Sequence, residues 1–225
     1  MTSDIIIDLD RISVHQEHVL ILANITLQVA KGEFVYLVGK TGSGKSSFLK
    51  TLYADLPLLN GQATVAGFTL HSLHRRDIPL LRRKTGIVFQ DFQLLSDRSI
   101  NDNLLFVMKA TGWRDHRAMQ TRLQEVLMKV GLETKGFKMP HQISGGEQQR
   151  VGIARALIND PEIVLADEPT GNLDPETSEG ILNLLFDISH SGTAVMMATH
   201  NYSLKEKFPS CTLKCEDGKI LPVDY

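Results

Sequence analysis

The chain has 225 residues, 42% of them apolar, and its 24 basic against 26 acidic side chains leave a formal charge of −2. That near-balance argues against nonspecific nucleic-acid binding as the main role, and no apolar run reaches the ~18 residues of a membrane span. The start, MTSDIIIDLDR, is acidic and does not read as a secretory signal, so a cytoplasmic chain that reaches any membrane through a partner is expected.

Taken in order, residues 5–14 and 19–29 predict strands: the first partly alternates and the second is rich in β-branched residues. EFVYLV predicts a short buried strand ending at Val38, and KSSFLKTLYADL a helix with Phe48, Leu49, Leu52 and Tyr53 on one face. Residues 59–70, with Gly61 and Gly67, predict a small hairpin. The basic run Arg75, Arg76, Arg82, Arg83 and Lys84 predicts a solvated helix face, because no aromatic residues interleave the charges. TGIVFQ is the next strand. From Ile100 to Val130 the pattern turns helical, broken at Gly112 and Trp113. Residues 91–144 are therefore expected to form an inserted helical subdomain between a β-rich and α/β core of residues 1–90 and 145–225. After it come a strand (EIVLAD), a helix (LDPETSEGILNLLFDISH) and a strand (GTAVMMATH). CTLKC predicts a late strand with two buried thiols, Cys211 and Cys215, before a turn at EDGK.

The segment GKTGSGKS carries most of the chemistry. Gly39, Gly44, Lys45 and Ser46 fit G-x-x-x-x-G-K-S between a strand and a helix, the arrangement that cradles a phosphate chain. Backbone amides of Gly39, Lys40, Thr41, Gly42, Ser43, Gly44 and the helix start at Lys45, Ser46 and Ser47 form the cradle. Lys45 offers a charge to the β/γ-phosphates, and the Ser46 hydroxyl is a ligand for Mg²⁺. In EIVLADEP an apolar strand runs into two adjacent acids: Asp167 suits a hydrated Mg²⁺ and Glu168, aimed differently, an attacking water. Asn-Lys-x-Asp, a guanine-reading motif, does not occur, which favours adenine.

In HQISGGEQQRVGIARAL, Ser144 and Glu147 predict a capping box, with Val151, Ala154, Leu157 and Ile158 as the apolar stripe. Gly145 and Gly146 then open a helix whose unscreened N-terminus is a second anion site. Two phosphate-binding helix ends for one triphosphate suggest that two chains share it. His200 ends the apolar run VMMATH, and Asp174-Pro175 reads as a helix cap and first helical residue.

Across essentially its whole length the chain resembles the ATP-binding-cassette family, with the motifs in the family's order. GKTGSGKS is similar to the phosphate loop, IVLADE to the Mg²⁺/base strand and ISGGEQQR to the Leu-Ser-Gly-Gly-Gln signature. The resemblance implies an α/β P-loop ATPase with a RecA-like core, an N-terminal antiparallel β subdomain and an inserted helical subdomain, using ATP and Mg²⁺. It implies a head-to-tail homodimer with ATP between the phosphate loop of one chain and Ser144, Gly145, Gly146 and Glu147 of the other. It also implies that Gln90 touches Mg²⁺ and a transmembrane partner, that GNLD, ending at Asp174, crosses the dimer interface, and that His200 contacts the γ-phosphate. The chain departs from the family at Ile143 and Glu147 of the signature, and near residues 14–18, where an adenine-stacking aromatic is missing and His15 or Gln16 is expected to pack on the base.

Residues 90–104, QDFQLLSDRSINDNL, are similar to the family's cell-division branch, above all at Asp97-Arg98. That branch implies a separate four-span membrane partner whose movement switches on peptidoglycan hydrolases at the septum. No regulatory domain is expected after the last hairpin. The lipoprotein-release and macrolide-export ATPases share ISGGEQQR and GNLD and form the alternative. Soluble repair and translation ATPases form a second, disfavoured by the short 91–144 insert and the lack of zinc-ligand spacing.

Overall fold

The computed structural model describes residues 5–223, except for the side chains of residues 202–204; residues 1–4, where the acidic segment begins, and 224–225 lie outside the described residues. β1 (Ile5–Gln16) and β2 (Val19–Ala30) form an antiparallel hairpin. The chain then leaves as β3 (Phe34–Val38), passes through the glycine-rich loop and enters α1 (Lys45–Leu52). β4 (Asn60–Val65) and β5 (Phe68–Thr69) return to the first sheet, whose order is β2-β1-β4-β5. α2 (Ile78–Lys84), β6 (Thr85–Val88), α3 (Ile100–Ala110), α4 (His116–Lys129) and α5 (Gly145–Leu157) follow. β7 (Ile163–Asp167), α6 (Pro175–His190), β8 (Ala194–Thr199), α7 (Tyr202–Lys207), β9 (Cys211–Glu216) and β10 (Lys219–Pro222) complete the order. The second sheet runs β10-β9-β3-β8-β7-β6, parallel except for the terminal β9–β10 hairpin.

Period-two alternation in the middle strands sets the layers. All five residues of β3 are buried, but Phe34, Tyr36 and Val38 face one apolar cluster and Val35 and Leu37 the other. β7 and β8 divide the same way: Val164, Ala166, Val195 and Met197 face the first, and Ile163, Leu165, Met196 and Ala198 the second. The first cluster holds the apolar stripes of α3 to α6. The second holds Phe48, Leu49, Leu52 and Tyr53 of α1 together with the buried face of the antiparallel sheet. A parallel sheet covered on both faces explains why these strands read as apolar runs. It also aligns the carboxyl ends of β3, β7 and β8, where the loop at residues 39–44, the pair Asp167-Glu168 and His200 emerge.

The basic run is exposed at Arg75, Arg76, Arg82 and Lys84 and half-buried at Arg83. Arg82 also donates to the carbonyls of Tyr53 and Ala54, both at 3.1 Å, and so caps the end of α1. The expectation of two buried thiols needs correction. Leu213 and Cys215 are buried on the α1 side, whereas Cys211, the first residue of β9, is exposed because the cover on that face stops short of it.

Arg122 of α4 ties the helical segment to the core. It is 8% exposed and donates from Nε to the Ile158 carbonyl at 3.0 Å and from Nη2 to the Leu157 carbonyl and Asp160, both at 2.5 Å. These bonds satisfy carbonyls at the end of α5. Arg122→Met should lower unfolding free energy by about 2–3 kcal/mol, the worth of charged hydrogen bonds whose partners are left buried. Urea denaturation without nucleotide measures it.

Candidate active site

The phosphate loop owes its shape to a few backbone commitments. Gly44, the residue before α1, has φ +102°, and a Cβ there would stand 2.7 Å from Ile21 Cγ2, so the position requires glycine on both counts. Lys45 is 4% exposed. Its Nζ donates to the carbonyls of Gly39 at 2.8 Å and Lys40 at 3.1 Å, which curls the loop around the ammonium group. From below, the thiol of Cys215 donates to the Ser43 carbonyl at 2.8 Å.

The two acids at the end of β7 diverge. Asp167 Oδ1 accepts a 3.0 Å hydrogen bond from Ser46 Oγ. Glu168 has φ +46°, left-handed backbone of the kind that collects at functional sites, fixed by its N–H to Ala198 O at 2.9 Å and its carbonyl from Gly171 N at 3.0 Å. Its Oε1 lies 3.5 Å from Lys45 Nζ and its Oε2 2.6 Å from His200 Nδ1. Burial raises the Asp167 carboxyl above the ordinary carboxylate range; Ser46 opposes this and the Glu168 charge reinforces it. An anion held in that environment calls for a cation. Ser46 and Asp167 pair two oxygen donors of the kind that would suit Mg²⁺, and Gln90 lines the cavities onto which each of them opens. Among the described residues no cluster of three His, Cys, Asp or Glu could hold a metal unaided.

A cavity of about 390 Å³ is lined by Gln16, Ile21, Thr41, Gly42, Gly44, Lys45, Ser46, Ser47, Gln90, Glu168 and His200. The structure thus brings the loop, the glutamate, the histidine and Gln90 to one place. Gln16 is there too, whereas His15 does not line the cavity. Ile21 was not foreseen: its strand reads as ordinary hairpin, and only the approach to Gly44 reveals it.

The signature residues lie elsewhere. Ser144 caps α5, accepting from Glu147 N at 3.2 Å, while Glu147 Oε2 accepts from Ser144 N at 2.8 Å. Glu147 is further held by Lys135 at 3.2 Å, and these contacts, the Ser144 N–H first, keep its carboxyl below the usual range. The added charge of this residue is therefore already engaged. Gly146 allows α6 to approach, since a Cβ there would fall 2.3 Å from Thr177 Cγ2. Ser144 and Gly145 stay partly open to solvent and do not line the phosphate-loop cavity of their own chain. Asp174 caps α6, accepting from Thr177 N at 2.9 Å.

Comparison with known proteins agrees with this geometry. The family described as ABC transporter matches residues 22–171. The cell division ATP-binding protein FtsE of Streptococcus pneumoniae serotype 2 (strain D39) is 42% identical over 200 residues, covering 89% of this chain and 86% of that protein. FtsE of Mycobacterium tuberculosis (strain H37Rv) is 44% identical over the same shares. Among solved structures, the dimeric post-hydrolysis state of an ATP-binding cassette bound to ADP and Pi superposes with a TM-score of 0.80 and 32% identity, covering 95% of this chain and 96% of that one. With a nucleotide-binding P-loop, an acid pair at its mouth and matches of this extent, the chain belongs to the ATP-binding-cassette family and is an ATPase.

Proposed function

We propose that the chain is the ATP-hydrolysing subunit of a bacterial membrane complex of the FtsEX type, which couples ATP-driven dimerisation to cell division and to activation of septal peptidoglycan hydrolases. The cell-division part is carried by one observation, the 42–44% identity to FtsE proteins over nearly nine-tenths of the chain. In this reading the chain works at the cytoplasmic face of the inner membrane, held there by its membrane partner.

The amides of residues 39–47 and Lys45 would hold the phosphates of ATP. Ser46, Asp167 and Gln90 would hold Mg²⁺, which when bound offsets charge on the β/γ-phosphates. Glu168 accepts the proton of the attacking water. Its Oε2 is positioned by His200 and its Oε1 by Lys45, which places the base between the switch histidine and the loop. His200 carries the γ-phosphate contact. The signature helix end of a second copy, Ser144 to Glu147, closes the site from the other side, with Asp174 on the loop that crosses between chains. Ser144 fits that role because it is exposed and caps the N-terminus of α5.

The membrane partner is an FtsX-like protein. Its docking place is the groove of about 650 Å³ lined in part by Tyr53, Arg82, Phe89, Gln90 and Asp91, which reaches the active site at Gln90 and Asp167. The neighbouring Leu95 and Phe106 are exposed apolar side chains, and Arg98 lies over the Phe106 ring at 4.9 Å. Co-purification from detergent extracts with mass spectrometry should bring down one stoichiometric membrane chain of the FtsX type. A partner of the lipoprotein-release type, or no membrane chain, overturns the cell-division reading and leaves the ATP chemistry standing.

A further inference from the structure

The segment carrying Gln90 is held in an unusual way. Between the end of β6 and the start of α3 the carbonyls of Phe89, Gln90, Phe92 and Gln93 all accept hydrogen bonds from side chains. Gln149 Nε2 donates to Phe89 O at 3.2 Å. Asn172 Nδ2 donates to Gln90 O at 3.4 Å. One guanidinium, that of Arg155, takes the other two, with Nη2 to Phe92 O at 2.9 Å and Nη1 to Gln93 O at 2.5 Å. Gln149 and Arg155 both belong to α5, the helix whose first turn is the signature.

Three further observations show that this grip shapes the segment. Phe92 and Gln93 are consecutive left-handed residues, φ +58° and +48°, and neither is glycine. Such a pair is sparsely populated unless the surroundings enforce it. The Arg155 guanidinium also lies 5.8 Å from the centre of the Phe89 ring, so one side chain engages both ends of the bend. Gln149 is fully buried, yet its Oε1 finds no partner, so this amide is kept in the core with its oxygen unsatisfied.

We propose that Arg155, seconded by Gln149, is a positioning residue for Gln90: it locks the bend at residues 89–93 to the signature helix and so fixes where the Gln90 amide stands in the cavity. The inference rests on the role given to Gln90 above.

The test compares Arg155→Met, Arg155→Lys, Gln149→Met and Gln90→Ala with the unaltered chain. A fluorescent ATP analogue is titrated with and without Mg²⁺, and turnover and thermal unfolding are recorded alongside. Arg155→Met should lose about 10–100-fold in kcat or in the Mg²⁺-dependent gain of nucleotide affinity, as outer-shell partners of a metal ligand do. Its metal-free affinity should stay within about twofold, and Arg155→Lys, which keeps a charged donor group but not the planar fork, should recover part of the loss. Gln149→Met should show the same pattern more weakly. If Gln90→Ala shifts the Mg²⁺-dependent gain and Arg155→Met does not, the clamp is overturned while Gln90 keeps its role. If Gln90→Ala itself leaves that gain unchanged, the role of Gln90 fails and the clamp with it. If Arg155→Met loses metal-free and metal-dependent affinity together with melting temperature, its part is in folding alone and the proposal fails.

Discussion

Replacing Glu168 by Gln should lower ATP turnover by about 10²–10⁴-fold while leaving ATP bound, the range typical of losing a general base. The substitution is nearly isosteric. The amide can still meet His200 Nδ1, 2.6 Å from the present carboxylate, so the shape of the site is retained and only the proton acceptor is removed. The variant should accumulate as an ATP-bound dimer, visible by size-exclusion chromatography in ATP. Single-turnover hydrolysis at a near wild-type rate would transfer the base to another group. His200 is the first alternative, since it shares the cavity with Glu168.

Mixed dimers should recover activity that neither parent has. Lys45→Ala removes the buried ammonium around which the phosphate loop curls, and Ser144→Arg fills the open end of α5. Each variant should be inactive as a homodimer. In a mixed pair one site carries both lesions and the other carries neither. Equal mixing forms mixed pairs in half of the dimers, so recovery of about a quarter of wild-type activity is expected for independent sites. Failure to recover any hydrolysis, with mixed dimers demonstrated by two different tags, would show that Lys45 and Ser144 do not serve one ATP across the interface.

How much of this was readable beforehand depends on where the information lies along the chain. The phosphate loop, the acid pair at Asp167-Glu168 and the cap at Ser144 are contiguous in sequence, and contiguous motifs report local geometry well. The strands around Tyr36, Leu165 and Met197 were legible because burial on both faces removes polar residues altogether. Contacts made by residues far apart in sequence were not legible. Nothing local distinguishes Ile21 from its hairpin neighbours, and Cys215 meets Ser43 across 172 residues. Arg155 did leave a trace, as a charge between two alanines on a largely buried helix, but its partners lie 62 and 63 residues away. Cys211 shows the opposite limit. Period two predicted the direction its side chain takes, but not where the covering layer ends.

The thiol contact between Cys215 and Ser43 has a consequence for the order in which the protein is made. The ribosome produces the phosphate loop first, Cys215 of the supporting strand follows Ser43 by 172 residues, and β3 pairs with that strand along its length. Until β9 arrives, β3 is an open edge and the loop has no floor. Nascent chains shorter than this should therefore display a correct GKTGSGKS sequence without a usable nucleotide cradle.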